Sequence, residues 1–136
     1  MIVVDASLFV AWLLNEPSHG PEDAVWDSLS ADTLLVPSHW SNEIANALRK
    51  AVRTGRIKAD EITPIAERVS TFDIGFAEPT PVQEIGSLAK EALVCGLSAY
   101  DMTYVRLARE FQLPLATIDQ EMRNAAQRMQ VNLLPT

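Results

Sequence analysis

The sequence predicts an α/β fold in which a short parallel sheet is covered by helices on both faces. Three observations carry that expectation. Short apolar runs alternate along the chain with longer amphipathic segments. The runs themselves are nearly continuous in apolar residues, as strands buried on both faces must be, where a half-solvated sheet would alternate. And 136 residues with no internal repeat, low-complexity tract or linker fit one domain, expected to span residues 1–136.

The elements follow in order. Ile2-Val3-Val4 is a β-branched run that ends at Asp5. Residues 7–14 read as a helix closed by Asn15-Glu16-Pro17, and residues 21–29 as a second helix with Pro21 suited to its first turn. Residues 33–36 form the next strand, stopped at Pro37. Ser38 can cap a long helix through Arg53, with Gly55 as terminator. Residues 59–71 are helical with Pro64 in the opening turns, and Ile74-Gly75-Phe76 is a short strand. Residues 81–94 and 98–111 form two helices separated by Gly96. A strand over 113–118 ends at Asp119, a helix runs to Met129, and residues 131–134 make the last strand.

Composition narrows the function. Charged residues are 21% of the chain and hydrophobic ones 48%, which excludes disordered and fibrous classes. The apolar stretches are far too short to span a bilayer, and residues 1–14 lack a signal-peptide pattern, so a cytoplasmic protein with no membrane role is expected. Cys95 is the only cysteine, which rules out a disulfide or a thiolate metal cluster. The net charge of −7 argues against gripping nucleic acid through the overall field. The distribution is uneven, however: residues 1–48 contain no Lys or Arg, and Arg49, Lys50, Arg53, Arg56 and Lys58 then follow within ten residues. That run reads either as a solvated helix face or as a local phosphate-contacting patch.

The carboxylates carry the chemistry. In parallel sheets ligands bind beyond the carboxyl ends of the strands, at a topological switch point. Asp5 and Asp119 both follow a strand and precede a helix, so each is at least a candidate helix cap. Asp101 lies four residues from both Leu97 and Val105, within an apolar stripe completed by Tyr104 and Ala108, where an unpartnered carboxylate is costly. Glu43 sits at the edge of the stripe formed by Trp40, Ile44, Ala47, Leu48, Ala51 and Val52. Taken singly, each has a structural explanation as cap, ion pair or edge residue. Converging on one point, the four would repel one another unless a cation neutralised them, and an all-oxygen set suits Mg²⁺ or Mn²⁺.

The segments Val3-Val4-Asp5-Ala6-Ser7, Pro37 to Glu43 to Leu48, Leu97-Ser98-Ala99-Tyr100-Asp101 and Leu115-Ala116-Thr117-Ile118-Asp119 resemble, in order and spacing, the four acidic motifs of PIN-domain ribonucleases. Length and the pattern Tyr100, Asp101, Tyr104, Leu107, Ala108 are most similar to the VapC-type toxins of bacterial toxin–antitoxin pairs. The resemblance implies a PIN-like three-layer fold with a central parallel sheet of about five strands. It implies an endoribonuclease in which Asp5, Glu43, Asp101 and Asp119 hold one or two Mg²⁺ or Mn²⁺ ions, with Ser7 and Thr117 supporting the site or touching a phosphate. Met102 stands where the family commonly has Ala, a change expected to alter packing only.

The resemblance further implies RNA as substrate, a cognate antitoxin over the site and a homodimer. Arg49, Lys50 and Arg53 are candidates for holding the RNA backbone. Trp12, Trp26 and Trp40 are read either as core or as lining an apolar groove for the antitoxin, and His19 and His39 as surface or capping residues. Two other readings stay open: a non-catalytic PIN-like scaffold that binds a partner, and a housekeeping RNA-processing nuclease of the same fold. An aspartyl phosphatase is disfavoured, because the second acid such enzymes need two residues after the first is Ser7 here.

Overall fold

Five short strands form one parallel sheet in the order β3-β2-β1-β4-β5: β1 (Ile2–Val4), β2 (Leu34–Val36), β3 (Ile74–Phe76), β4 (Leu115–Ala116) and β5 (Leu133–Leu134). The computed structural model describes residues 1–14 and 21–136. Within these, seven helices flank the sheet: α1 (Ala6–Leu13), α2 (Pro21–Ala31), α3 (Trp40–Arg53), α4 (Ile62–Val69), α5 (Ile85–Cys95), α6 (Ala99–Phe111) and α7 (Gln120–Arg128). The α/β class, the parallel sheet and its five strands are as the sequence predicts. No helix of the described residues is long and apolar enough to cross a membrane.

The chain runs outward from β1 to β3, then returns to place β4 on the other side of β1. The switch point therefore lies between β1 and β4, where the rule for such sheets puts the ligand crevice, at the strand C-termini. Val3 pairs with Leu115 and Val4 with Ala116, so Asp5 and Thr117 leave adjacent strands at the same level. All three residues of β1 are buried because helices cover both of its faces.

Element boundaries differ from the sequence reading for local reasons. Residues 59–61 and 82–84 are single 3₁₀ turns that lead into α4 and α5, so each α-helix starts later than its pattern does. Pro64 accordingly sits in the first turn of α4, where a missing N–H costs nothing. Gly55 and Gly96 take φ of 77° and 68° at the ends of α3 and α5, the left-handed geometry that favours glycine. The predicted Asn15-Glu16-Pro17 stop and His19 lie outside the described residues.

The aromatic residues form one side of the core. Phe9 of α1 meets the rings of Trp12, Trp26, Trp40 and Phe72 edge-on, at centroid distances of 5.9, 5.7, 5.1 and 5.0 Å. Trp26 and Trp40 are buried, and Trp40 also lines an apolar groove between α3 and α4 with Ile44, Leu48 and Val69. Trp12 is partly exposed, stacked on Trp26 at 4.6 Å and covered by the Arg68 guanidinium. All three tryptophans take part in one aromatic cluster. Met102 is fully buried in α6, consistent with a packing role for that departure.

Candidate functional site

Asp5 sits at the bottom of the crevice, only 2% exposed. It caps α1 by accepting from the Ser7 amide at 3.3 Å, and its Oδ2 accepts from the Ser7 hydroxyl at 2.9 Å and the Thr117 hydroxyl at 2.8 Å. Burial pushes its carboxyl above the ordinary range; these hydrogen bonds pull the other way, and the Asp101 charge adds to the rise. Thr117, fully buried at the end of β4, also accepts from the Asp119 amide at 3.1 Å. One hydroxyl thus ties the two strand-end acids together. Asp119 is exposed and caps α7, its Oδ1 accepting from the Met122 amide at 2.9 Å.

Asp101 approaches from α6. The structure corrects its expected place: it is half-buried, not set within the core stripe. Leu97 precedes the helix and so does not share its face; the buried stripe is Met102, Tyr104, Val105, Leu107 and Ala108. Ser98 caps α6 and accepts from the Asp101 amide at 3.0 Å, so Asp101 falls in the first turn, at the rim of the crevice. Its carboxyl is raised first by partial burial, then by the charges of Asp119 and Glu43, with Ser98 offsetting part of the rise.

Glu43 comes from the first turn of α3 and is half-buried. Its Oε1 accepts from the Tyr104 hydroxyl at 2.7 Å and meets His39 Nδ1 at 2.6 Å. The reading of His39 as a surface or capping residue is therefore corrected. It occupies the residue before α3 but makes no side-chain cap bond, and its ring turns inward to Glu43. Tyr104, buried beside Glu43 and Asp5, has its phenol pushed far up, so it stays protonated and donates.

The four acids and the two hydroxyl residues thus come from four elements to one end of the sheet. Among the described residues no Lys or Arg ion pair reaches any of the four carboxylates, and no three acidic, histidine or cysteine side chains are gathered closely enough to hold a metal ion as they stand. The donor chemistry fits a hard divalent cation: all-oxygen, concentrated in negative charge and mutually strained without a counter-charge. Arg49, Lys50 and Arg53 are exposed on the later turns of α3, roughly 9–15 Å along the axis from Glu43, and take no part in the site's hydrogen bonds. His39 and Tyr104 were not assigned to the site from sequence. Their i,i+4 and long-range pairings with Glu43 depend on how α6 lies against α3.

Thr117→Val keeps shape and removes the shared hydroxyl. It is expected to destabilise the metal-free protein by about 1–3 kcal/mol, since a buried acceptor and a capped amide both lose their partner. Urea unfolding at neutral pH checks this, and a loss below about 0.5 kcal/mol would show that the hydroxyl carries no such load.

The fold is parallel α/β with carboxylates gathered towards its switch point, and the model of the PIN domain family matches residues 2–128. The chain belongs to the PIN-domain family. Its relatives narrow this to the VapC ribonucleases. Ribonuclease VapC3 of Pyrobaculum aerophilum is 30% identical over 122 residues, covering 89% of this chain and 91% of that protein. Ribonuclease VapC9 of Mycobacterium tuberculosis is 31% identical over 127 residues, covering 93% and 92%. Among solved structures, PAE2754 from Pyrobaculum aerophilum superimposes with a TM-score of 0.68 at 26% identity, over 93% of this chain and 84% of that one. FitAcB from Neisseria gonorrhoeae gives 0.54 at 20% identity over 98% and 96%, a likeness of fold alone.

Proposed function

We propose that this chain is a metal-dependent endoribonuclease, a single PIN domain over residues 1–136, that acts as the toxin of a toxin–antitoxin pair. The observation that carries the reading is the convergence of Asp5, Glu43, Asp101 and Asp119 at the switch point, close enough for Asp101 to feel the other three and with no Lys or Arg ion pair among the described residues to neutralise them. The names of the VapC relatives supply the substrate class.

In this reading the four carboxylates hold Mg²⁺ or Mn²⁺. When bound, such an ion supplies a water of lowered pKa and offsets charge on the phosphodiester. The chain's own residues set the stage. Ser7 and Thr117 hold the buried Asp5 in one orientation, and Thr117 fixes the backbone that presents Asp119. Ser98 fixes the turn that presents Asp101. The exposed Arg49, Lys50 and Arg53 draw the RNA backbone along α3 towards the acids. A cognate antitoxin covers the crevice. A second copy of the chain pairs through the face that includes α5, where Leu93 and Val94 are exposed. The setting is the cytoplasm, where RNA is met.

Induced expression in a bacterial host tests this reading. The wild-type chain is expected to arrest growth with loss of intact RNA, and Asp5→Asn to grow at the uninduced rate while accumulating to the same level. Equal arrest by both proteins would remove the carboxylate site from the cause. No arrest by either, with folded protein present, would favour the partner-binding scaffold or a housekeeping nuclease.

A further inference from the structure

Two donors are spent on one oxygen of Glu43. Tyr104 donates to Oε1, and the His39 Nδ1 contact falls on that same atom. Oε2 has no hydrogen bond among the described residues. Each donor is itself anchored. The Tyr104 hydroxyl accepts from the Ala6 amide at 3.4 Å, which roots it in the joint between β1 and α1, next to Asp5. The His39 ring packs edge-on against Tyr100 and Tyr104, with centroids 5.1 and 5.7 Å away.

The contact with Glu43 fixes one proton of the His39 ring. His39 Nε2 is buried with no hydrogen-bond partner. An ionised carboxylate only accepts, so Nδ1 must carry a proton to bond it.

We propose that His39 and Tyr104 are a positioning pair for Glu43. By loading Oε1 from two sides they stop the carboxylate rotating and leave Oε2 as the oxygen presented to a divalent cation. Neither residue touches the reacting groups. The inference rests on Glu43 being a cation ligand, as proposed above. It also explains the buried polar contact of Tyr104, since a phenylalanine would fill the same space without it.

The test is the Mn²⁺ affinity of the purified full chain, read from the free-ion electron paramagnetic resonance signal, with folding followed by circular dichroism. Tyr104→Phe and His39→Leu are each expected to weaken Mn²⁺ binding by about 10–100-fold, the range seen when partners that orient a ligand are removed. His39→Asn, whose amide nitrogen reaches the place of Nδ1, is expected to recover most of the loss. In the metal-free wild type, a long-range proton–nitrogen spectrum should show a proton on His39 Nδ1. Glu43→Gln separates the two layers of the argument. If it lowers Mn²⁺ affinity while Tyr104→Phe and His39→Leu do not, the positioning pair is overturned and the metal reading stands. If Glu43→Gln itself leaves the affinity unchanged, Glu43 is not a ligand and both fall. Should His39→Leu fail to fold, Tyr104→Phe and the ring proton decide the matter, and a His39 Nδ1 without a proton overturns the role of His39.

Discussion

Asp101→Asn is expected to abolish RNA cleavage and, in the absence of metal, to make the protein more stable at neutral pH. The two effects have one cause. Asp101 is held above the ordinary carboxylate range by partial burial and by Asp119 and Glu43. A carboxyl raised in the folded state binds its proton more tightly there than in the unfolded chain. Its contribution to stability is therefore complete below the unfolded value, near 4, and is lost as pH rises through the folded one. The metal-free wild type should consequently lose stability between mildly acidic and neutral pH, and the asparagine variant should lose less. Activity moves oppositely, because a cation site without one of its charges gives up several kcal/mol of transition-state stabilisation, about a thousandfold in rate or more. Thermal melts in EDTA at several pH values check the first half. An Asp101→Asn protein less stable than wild type at neutral pH would contradict the electrostatic reading. Saturating Mn²⁺ should reverse the order, since binding at a hundred times Kd adds about 2.7 kcal/mol to the wild type.

Phe9→Ala is expected to be the most damaging substitution outside the site. Its ring joins side chains of α1, α2, α3 and the turn after α4 in one cluster of edge-on contacts. Removing it leaves a cavity that the large rigid rings around it cannot close, at a cost of about 3–5 kcal/mol. For a domain of this size that is a large share of a total of about 5–15 kcal/mol. Urea unfolding should show the midpoint falling with little change in slope. A loss below about 1 kcal/mol would mean that the cluster repacks freely. Such a variant should also lose cleavage at elevated temperature through unfolding, with its Mn²⁺ affinity at low temperature intact.

The strand-end acids were the most legible part of the site. Asp5 and Asp119 each terminate an apolar run that only a buried parallel strand explains, and the switch-point rule then says where both must lie. Their capping bonds to Ser7 and Met122 show that a residue can cap a helix and still lie at the switch point. Asp101 is legible as an inward-leaning acid, but a stripe that includes Leu97 places it too deep, because the helix begins only after Ser98. A cap shifts the phase of every residue behind it. The tryptophans resolved towards the core for a reason that no local pattern contains: the rings come from three helices, and only their packing makes one cluster of them. His39 was invisible for the same reason. Nothing in a Ser-His-Trp segment announces that its ring will share an acceptor with a tyrosine sixty-one residues beyond that acceptor.

The central claim is that the four carboxylates form one cation site that cuts RNA. The most direct test is cleavage of a mixed RNA substrate by the purified chain, freed of any partner, in Mg²⁺ or Mn²⁺ and again in EDTA, with Asp101→Asn run beside it. The account predicts cleavage by the wild type with metal, none in EDTA and none by the variant, which must be folded and at least as stable without metal. Cleavage that survives EDTA, or that Asp101→Asn retains in full, would contradict it.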